Sequence, residues 1–271
     1  MKTFIETKGE ILQENEVFMA NCMITIPRTT MSVYSFAVDG VLIDTGSQSL
    51  RNEFNHFFKT CDFDQVVLTH FHEDHTGNAA LIQQQYEVPI YIHQMSTHLT
   101  KQPQRIPVYR KEIWGDVEPF TSQPLSKTFQ SRKDTWEVIE TPGHSKDHVA
   151  FYNQSKGILF TGDLFITPKV KLVLVDENIL STLDSLKKIL AYDFEQMYCC
   201  HAGLVKNPKA MIHLKIDYLE EMEGKALALS KKGKDVYEIT AELFPRNYPL
   251  IAASNSEWSA VHMVRAFLNR G

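Results

Sequence analysis

The chain has 271 residues, 43% of them hydrophobic and 23% charged, with a formal net charge of −5 and a pI near 6.1. A chain of this length buries roughly 70–75% of the surface that its unfolded form exposes, so it needs no covalent staples. The composition is that of a globular protein rather than a disordered one, and the acidic balance argues against a nucleic-acid binder, which carries a basic footprint.

Four cysteines, Cys22, Cys61, Cys199 and Cys200, include no C-x-x-C pair and read as buried free thiols. Residues 1–20 mix Lys, Glu and Asn among apolar positions and do not form a secretory leader. No apolar run approaches the roughly 18 residues of a membrane span. These features predict a cytoplasmic protein with no membrane partner.

In chain order, apolar runs at residues 17–26, 31–38 and 41–44 predict strands, with Asp39-Gly40 as a hairpin turn. A helix is expected over residues 48–60, a strand over 65–69, a helix over 78–86 and a strand over 88–93. Residues 103–133 contain four prolines and read as a long loop or lid with partial order over residues 105–114. Strands resume at 136–140, 148–153 and 157–161, the last two as a hairpin around Gln154-Ser155-Lys156. A helix follows at 181–192 and a strand at 196–201. Beyond Asn207 the chain reads as helical, with apolar positions at Met211, Leu214, Tyr218, Leu219 and Met222 and shorter helices near 236–244 and 257–268.

The chemistry gathers in Thr69-His70-Phe71-His72-Glu73-Asp74-His75-Thr76-Gly77, directly after a buried strand. At a strand end, His70 and His72 point the same way, so both imidazoles can reach one ion. Asp74 and His75 follow as the chain turns into the next helix. Three further candidates sit at strand-to-loop transitions: His144 after Pro142-Gly143, Asp163 after Gly162, and His201 before Ala202-Gly203. The seven divide into one ion held by His70, His72 and His144 and another held by Asp74, His75 and His201, with Asp163 between them. Imidazole and carboxylate ligands suit zinc, iron or manganese.

These residues resemble those of the metallo-β-lactamase superfamily. The resemblance also takes in Leu42-Ile43-Asp44-Thr45-Gly46 and runs over about residues 15 to 205. It implies an α/β fold, an αβ/βα four-layer sandwich, formed by a catalytic unit of residues 1–205 with residues 206–271 packed on it as a helical C-terminal extension. It also implies that Asp44 braces the ligand loop. Departures narrow the field: Asp163 stands where the antibiotic-hydrolysing enzymes place a cysteine, His72 where the flavodiiron branch places a glutamate, and Ile166 where the known acyl-homoserine lactonases carry a tyrosine.

The expected activity is therefore that of a dinuclear metal-dependent hydrolase. It would use two divalent ions, zinc first among them, and a bridging hydroxide on a small ester, thioester or lactone. Asp74 is both ligand and catalytic residue in this reading, and His148 and Asp147 are placed behind the ligands. Tyr109, Trp114 and Phe120 are expected to line the substrate pocket. Two alternatives stay open. One is cleavage of single-stranded RNA, because Asp235-Val236-Tyr237-Glu238-Ile239 and His262-Met263-Val264-Arg265 resemble the tail of an endoribonuclease-like branch. The other is a mononuclear iron dioxygenase using His70, His144 and Asp163. A homodimer is also left open.

Overall fold

The computed structural model describes residues 5–26 and 29–269. The outermost residues of the two expected units, 1–4 and 270–271, lie outside the described residues. The first half supplies β1 (Glu6–Glu14), β2 (Val17–Ile26), β3 (Thr29–Val38), β4 (Val41–Ile43), α1 (Arg51–Thr60), β5 (Gln65–Val67), α2 (Glu73–Thr76), α3 (Ala79–Tyr86), β6 (Ile90–Ile92), α4 (Val108–Trp114) and β7 (Gln123–Pro124). The second supplies β8 (Thr128–Gln130), β9 (Thr135–Glu140), β10 (Val149–Asn153), β11 (Ile158–Phe160), β12 (Val173–Leu174), α5 (Ile179–Ile189), β13 (Gln196–Cys199) and β14 (Gly203–Leu204). The extension carries α6 (Pro208–Ser230), α7 (Val236–Leu243), α8 (Pro249–Ala253), β15 (Trp258–Ser259) and α9 (Ala260–Leu268).

Strands β1 to β7 form one sheet in sequence order, and a second sheet runs β14-β13-β11-β10-β9-β8. In the first, β1 to β4 are antiparallel, whereas β4 to β7 run parallel through helical crossovers. The alternation of side chains along each strand explains why the two sheets stack. Val67 of β5 and Phe151 of β10 face the core between the sheets, with Phe36, Trp136, Phe160 and Tyr198. Their neighbours face outward: Val66 packs with Phe54, Phe57 and Phe58 of α1, and Ala150 and Leu159 pack with Leu183 and Leu186 of α5. Helix, sheet, sheet and helix thus enclose three apolar layers, the four-layer arrangement expected.

The expected hairpin is present. Val38 pairs with Val41, and Asp39 and Gly40 both have positive φ, 47° and 80°, as a two-residue turn between twisted strands requires.

In residues 103–133, α4 falls within the stretch expected to be partly ordered, whereas β7 and β8 differ from the expectation of a loop. The strands are only two and three residues long, too short to show a period. β1 was also not anticipated. It reads Glu-Thr-Lys-Gly-Glu-Ile-Leu-Gln-Glu and is almost wholly exposed, so backbone pairing with β2 rather than apolar alternation defines it. Along α6 the buried face carries Ile212, Lys215, Ile216, Leu219 and Met222, whereas Leu214 is exposed.

Helices α6, α7 and α9 share one apolar cluster with α5 and the outer face of the second sheet. No helix among the described residues is long and apolar enough to cross a membrane.

Candidate metal centre

The site grows from the C-terminal ends of β4 and β5. Asp44 follows β4 in a left-handed conformation, φ 55°. Its fully buried carboxylate accepts hydrogen bonds from the backbone N–H and hydroxyl of Thr69, both at 2.8 Å. It also lies 2.8 Å from His75 Nδ1 and accepts from the Cys200 thiol at 3.0 Å. Thr45 donates its backbone N–H and its hydroxyl to the His75 carbonyl, and Asn78 donates to the carbonyls of Thr45 and Ser47. The ligand-bearing loop is therefore tied to the turn after β4 at both ends. The single turn of α2 then sets Asp74 and His75 beside His70 and His72.

The other strand ends bring the rest. At Gly143, φ is 147°, and a Cβ would come 2.4 Å from the backbone N of Thr182. Only glycine allows α5 to sit so close behind the His144 loop. Asp163 follows β11, and its N–H donates to His148 Nε2 at 3.0 Å. His201 follows β13.

The seven residues converge. His70 Nε2 and His144 Nε2 each lie 3.0 Å from His72 Nδ1. Asp163 Oδ2 is 3.1 Å from His201 Nε2 and 3.5 Å from His144 Nε2, while Asp163 Oδ1 is 3.4 Å from His75 Nε2. Asp74 lies 3.3 Å from His201 Nε2 and 3.8 Å from His75 Nε2. His70, His72 and His144 make one set close enough to hold a metal ion, Asp74, His75 and His201 another, and His70, His75 and Asp163 a third that links them. A further grouping of Asp44, His75 and Cys200 uses the outer nitrogen of His75. The hydrogen bonds to Asp44 already account for it.

The residues fit a metal. His75 Nε2 and Asp163 Oδ1 are buried without a hydrogen-bond partner, an expensive arrangement for polar atoms in a protein interior. Three of the imidazoles are also held from behind. His144 Nδ1 is 2.7 Å from Glu177, His201 Nδ1 donates to the Ser32 carbonyl at 2.6 Å, and His70 Nδ1 lies 3.1 Å from the Thr69 hydroxyl. Such outer bonds fix the ring and leave the inner nitrogen's lone pair for a cation.

The electrostatics agree. Burial, with the neighbouring imidazoles, holds His70 and His72 well below the usual histidine range, so both are neutral imidazoles of the kind a metal takes. Burial acts the same way on His75 and His201, but Asp163 and Asp74 outweigh it and hold both well above that range. This half of the cluster favours positive charge, whether a proton or a metal.

His148 and Asp147 lie behind the ligands. The His148 ring bridges Thr141 and the N–H of Asp163. Asp147 accepts from Phe71 N–H, Ser96 and Ser145.

The expected pocket residues scatter. The Trp114 ring stands 6.4 Å from that of His201. Tyr109 lines a separate hollow with Val108, Val175 and Glu257. Phe120 is corrected: it is buried in the cluster that backs the first sheet, where its ring fills the core rather than a pocket wall. The cavity beside the ligands, about 420 Å³, opens instead on His144 and Asp163 and is walled by Ile166, Ile179, Leu250 and Trp258.

Sequence reasoning also missed three residues around the centre. Glu177 stands in the polar run Asp176-Glu177-Asn178, which carries no signal. Arg110 makes a two-pronged bond to the buried Glu73, at 2.6 and 2.7 Å. Lys215 did carry a signal, since it falls four residues from both Met211 and Leu219 on a stripe that is otherwise apolar.

Comparison with known proteins places this geometry. The sequence model of the Metallo-beta-lactamase superfamily matches residues 29–201. A probable metallo-hydrolase, YybB, of Bacillus subtilis is 32% identical over 139 residues, 46% of this chain and 60% of that protein. An atrochrysone carboxyl ACP thioesterase of Passalora fulva is 30% identical over 147 residues, 53% of this chain and 38% of that protein. The chain thus spans less than two thirds of either relative. A crystal structure of a metallo-beta-lactamase family protein from Thermus thermophilus shares the fold with a TM-score of 0.72. It has 20% identity and covers 95% of this chain and 93% of that one.

Proposed function

The chain belongs to the metallo-beta-lactamase superfamily, and from that premise we propose that it is a dinuclear metal-dependent hydrolase of a small ester, thioester or lactone. The observation that carries the reading is the approach of His70 Nε2 and His144 Nε2 to 3.0 Å from His72 Nδ1, beside an Asp74–His75–His201 set at 3.3 and 3.8 Å, with a largely apolar cavity opening on His144 and Asp163. His70, His72 and His144 would hold one ion, Asp74, His75 and His201 the other, and Asp163 would reach both. When bound, such ions lower the pKa of a water and polarise the substrate oxygen; zinc fits these ligands, as do iron and manganese.

The protein's own part follows from its charges. Asp74 is held as a carboxylate, because His75 and His201 outweigh the upward push of its burial. It is placed to take the proton of the attacking water. Water's oxygen bonds to the acyl carbon, the bond from that carbon to the leaving oxygen or sulfur breaks, and the proton passes to the leaving group. The products are a carboxylic acid and an alcohol or thiol, joined in one hydroxy acid when the substrate is a lactone. Asp44, Glu177 and the Ser32 carbonyl keep the rings in register while this happens.

A small substrate is favoured over RNA by the net charge of −5 and by the size of the cavity. The thioesterase among the relatives supports an acyl substrate. The four free thiols suit action in the cytoplasm. The test is a screen of short-chain esters, thioesters and lactones against the wild type and His72→Ala. Turnover of at least one class is expected, falling about a hundredfold or more in the variant. Equal rates in the two proteins, or no turnover of any class, would overturn the proposal.

A further inference from the structure

Lys215 is an anomaly of α6. It sits on the buried face of the helix, 4% exposed, where amphipathic patterning demands an apolar residue. A lysine ammonium has three donors. One goes to the Leu164 carbonyl at 2.9 Å, and the Phe165 ring lies 5.6 Å away. Among the described residues no carboxylate comes within ion-pairing distance. Glu177, which also lines the cavity, is engaged with His144. Burial pushes the amine down to about 8, against the weaker upward pull of Cys199, Glu177 and Asp163. A lysine in this state lacks an anion.

The cavity it lines is the one that opens on His144 and Asp163. Two more lysines, Lys169 and Lys171, lie along the same cavity and are exposed. Ile166, 39% exposed, leaves apolar surface in water there. The lining therefore joins His144 and Asp163 of the candidate ligand cluster, apolar side chains, and a buried lysine with one hydrogen bond to protein among the described residues. A single ammonium with two free donors matches the single charge and two oxygens of a carboxylate rather than a dianionic phosphate.

We propose that this cavity is the acyl pocket and that Lys215 receives a carboxylate at the far end of the acyl chain. The preferred substrates are then monoesters or monothioesters of a linear dicarboxylic acid. This rests on the hydrolytic reading above and adds the substrate class to it. Leu250 and Trp258 belong to the C-terminal extension, so residues far from the ligand positions help to shape the pocket. Lys215 is a specificity residue here, not a catalytic one.

Binding tests the pocket without relying on turnover. Linear dicarboxylates from succinate to suberate are titrated calorimetrically into the metal-loaded protein, each against the monocarboxylate of equal length. At one length the dicarboxylate should bind about thirtyfold tighter or more, the scale of a buried charge pair. Lys215→Met should erase the difference, and Lys169→Ala/Lys171→Ala should keep it. Equal binding by the wild type at every length would overturn the proposal, whatever the variants do. So would a preference that survives in Lys215→Met, or one that disappears with the two exposed lysines. A protein that prefers the dicarboxylate yet cleaves no ester, thioester or lactone would sink the hydrolytic reading and leave the carboxylate site standing. Turnover of neutral esters with no such preference would sink only the pocket.

Discussion

Asp44 shows how one buried side chain can tie together the residues around a candidate metal site. Its two oxygens serve the backbone and hydroxyl of Thr69, the outer nitrogen of His75 and the thiol of Cys200. A carboxylate does this because it only accepts. Replacement by asparagine keeps the shape but turns one acceptor into a donor, which then faces donors in a dry site. Asp44→Asn should lower stability by about 2–3 kcal/mol and weaken metal binding by roughly 10–100-fold. Urea unfolding and a competitive chelator titration measure the two effects. Unchanged metal affinity in a folded variant would show that the ring of His75 needs no such brace.

Among the elements, the short helix α4 ties the segment of the candidate ligands to the C-terminal part of the chain. Its Arg110 spans to Glu73, the residue before Asp74, and comes within 3.5 Å of Glu257 near the C-terminal end. Burial and Asp74 push the Glu73 carboxyl up, while Arg110 opposes them. Removing only the arginine would leave a buried acid without its partner, and such losses run to about 3–5 kcal/mol. Arg110→Met should therefore be strongly destabilising in urea. Glu73→Gln/Arg110→Met should recover much of the loss, because no unpaired charge is then buried. A double variant as unstable as the single one would show that packing rather than charge holds α4.

The same element marks a limit of sequence reading. In residues 103–133, β7 is two residues long and ends on a proline, and α4 has no fully buried residue, so neither leaves a clear periodic trace. Strands such as β2 and β10, buried on alternate faces or on both, were legible because packing wrote their pattern.

For the whole molecule, the two stacked sheets and their helices follow from three apolar layers, and most of that was readable as alternating strands and helices. The clustering of the seven candidate residues was readable in part, since His70, His72, Asp74 and His75 are crowded into one short segment that follows a buried strand. The supports and the pocket were not. Glu177 meets His144, and Ser32 meets His201, only through the fold, and neither residue type is rare enough to announce itself. The cavity beside His144 and Asp163 joins Ile166 and Ile179 to Leu250 and Trp258 across long chain separations, so no local pattern could select them over Phe120, which the core took instead.

The most direct test of the central claim is the metal content of the protein purified without chelators, measured by elemental analysis per chain. Two divalent ions per chain, zinc or a mixture with iron or manganese, is the result expected from two neighbouring ligand sets joined by Asp163. A single iron per chain would contradict the dinuclear hydrolase and point to oxygen chemistry, and no metal after reconstitution would contradict the metal centre itself.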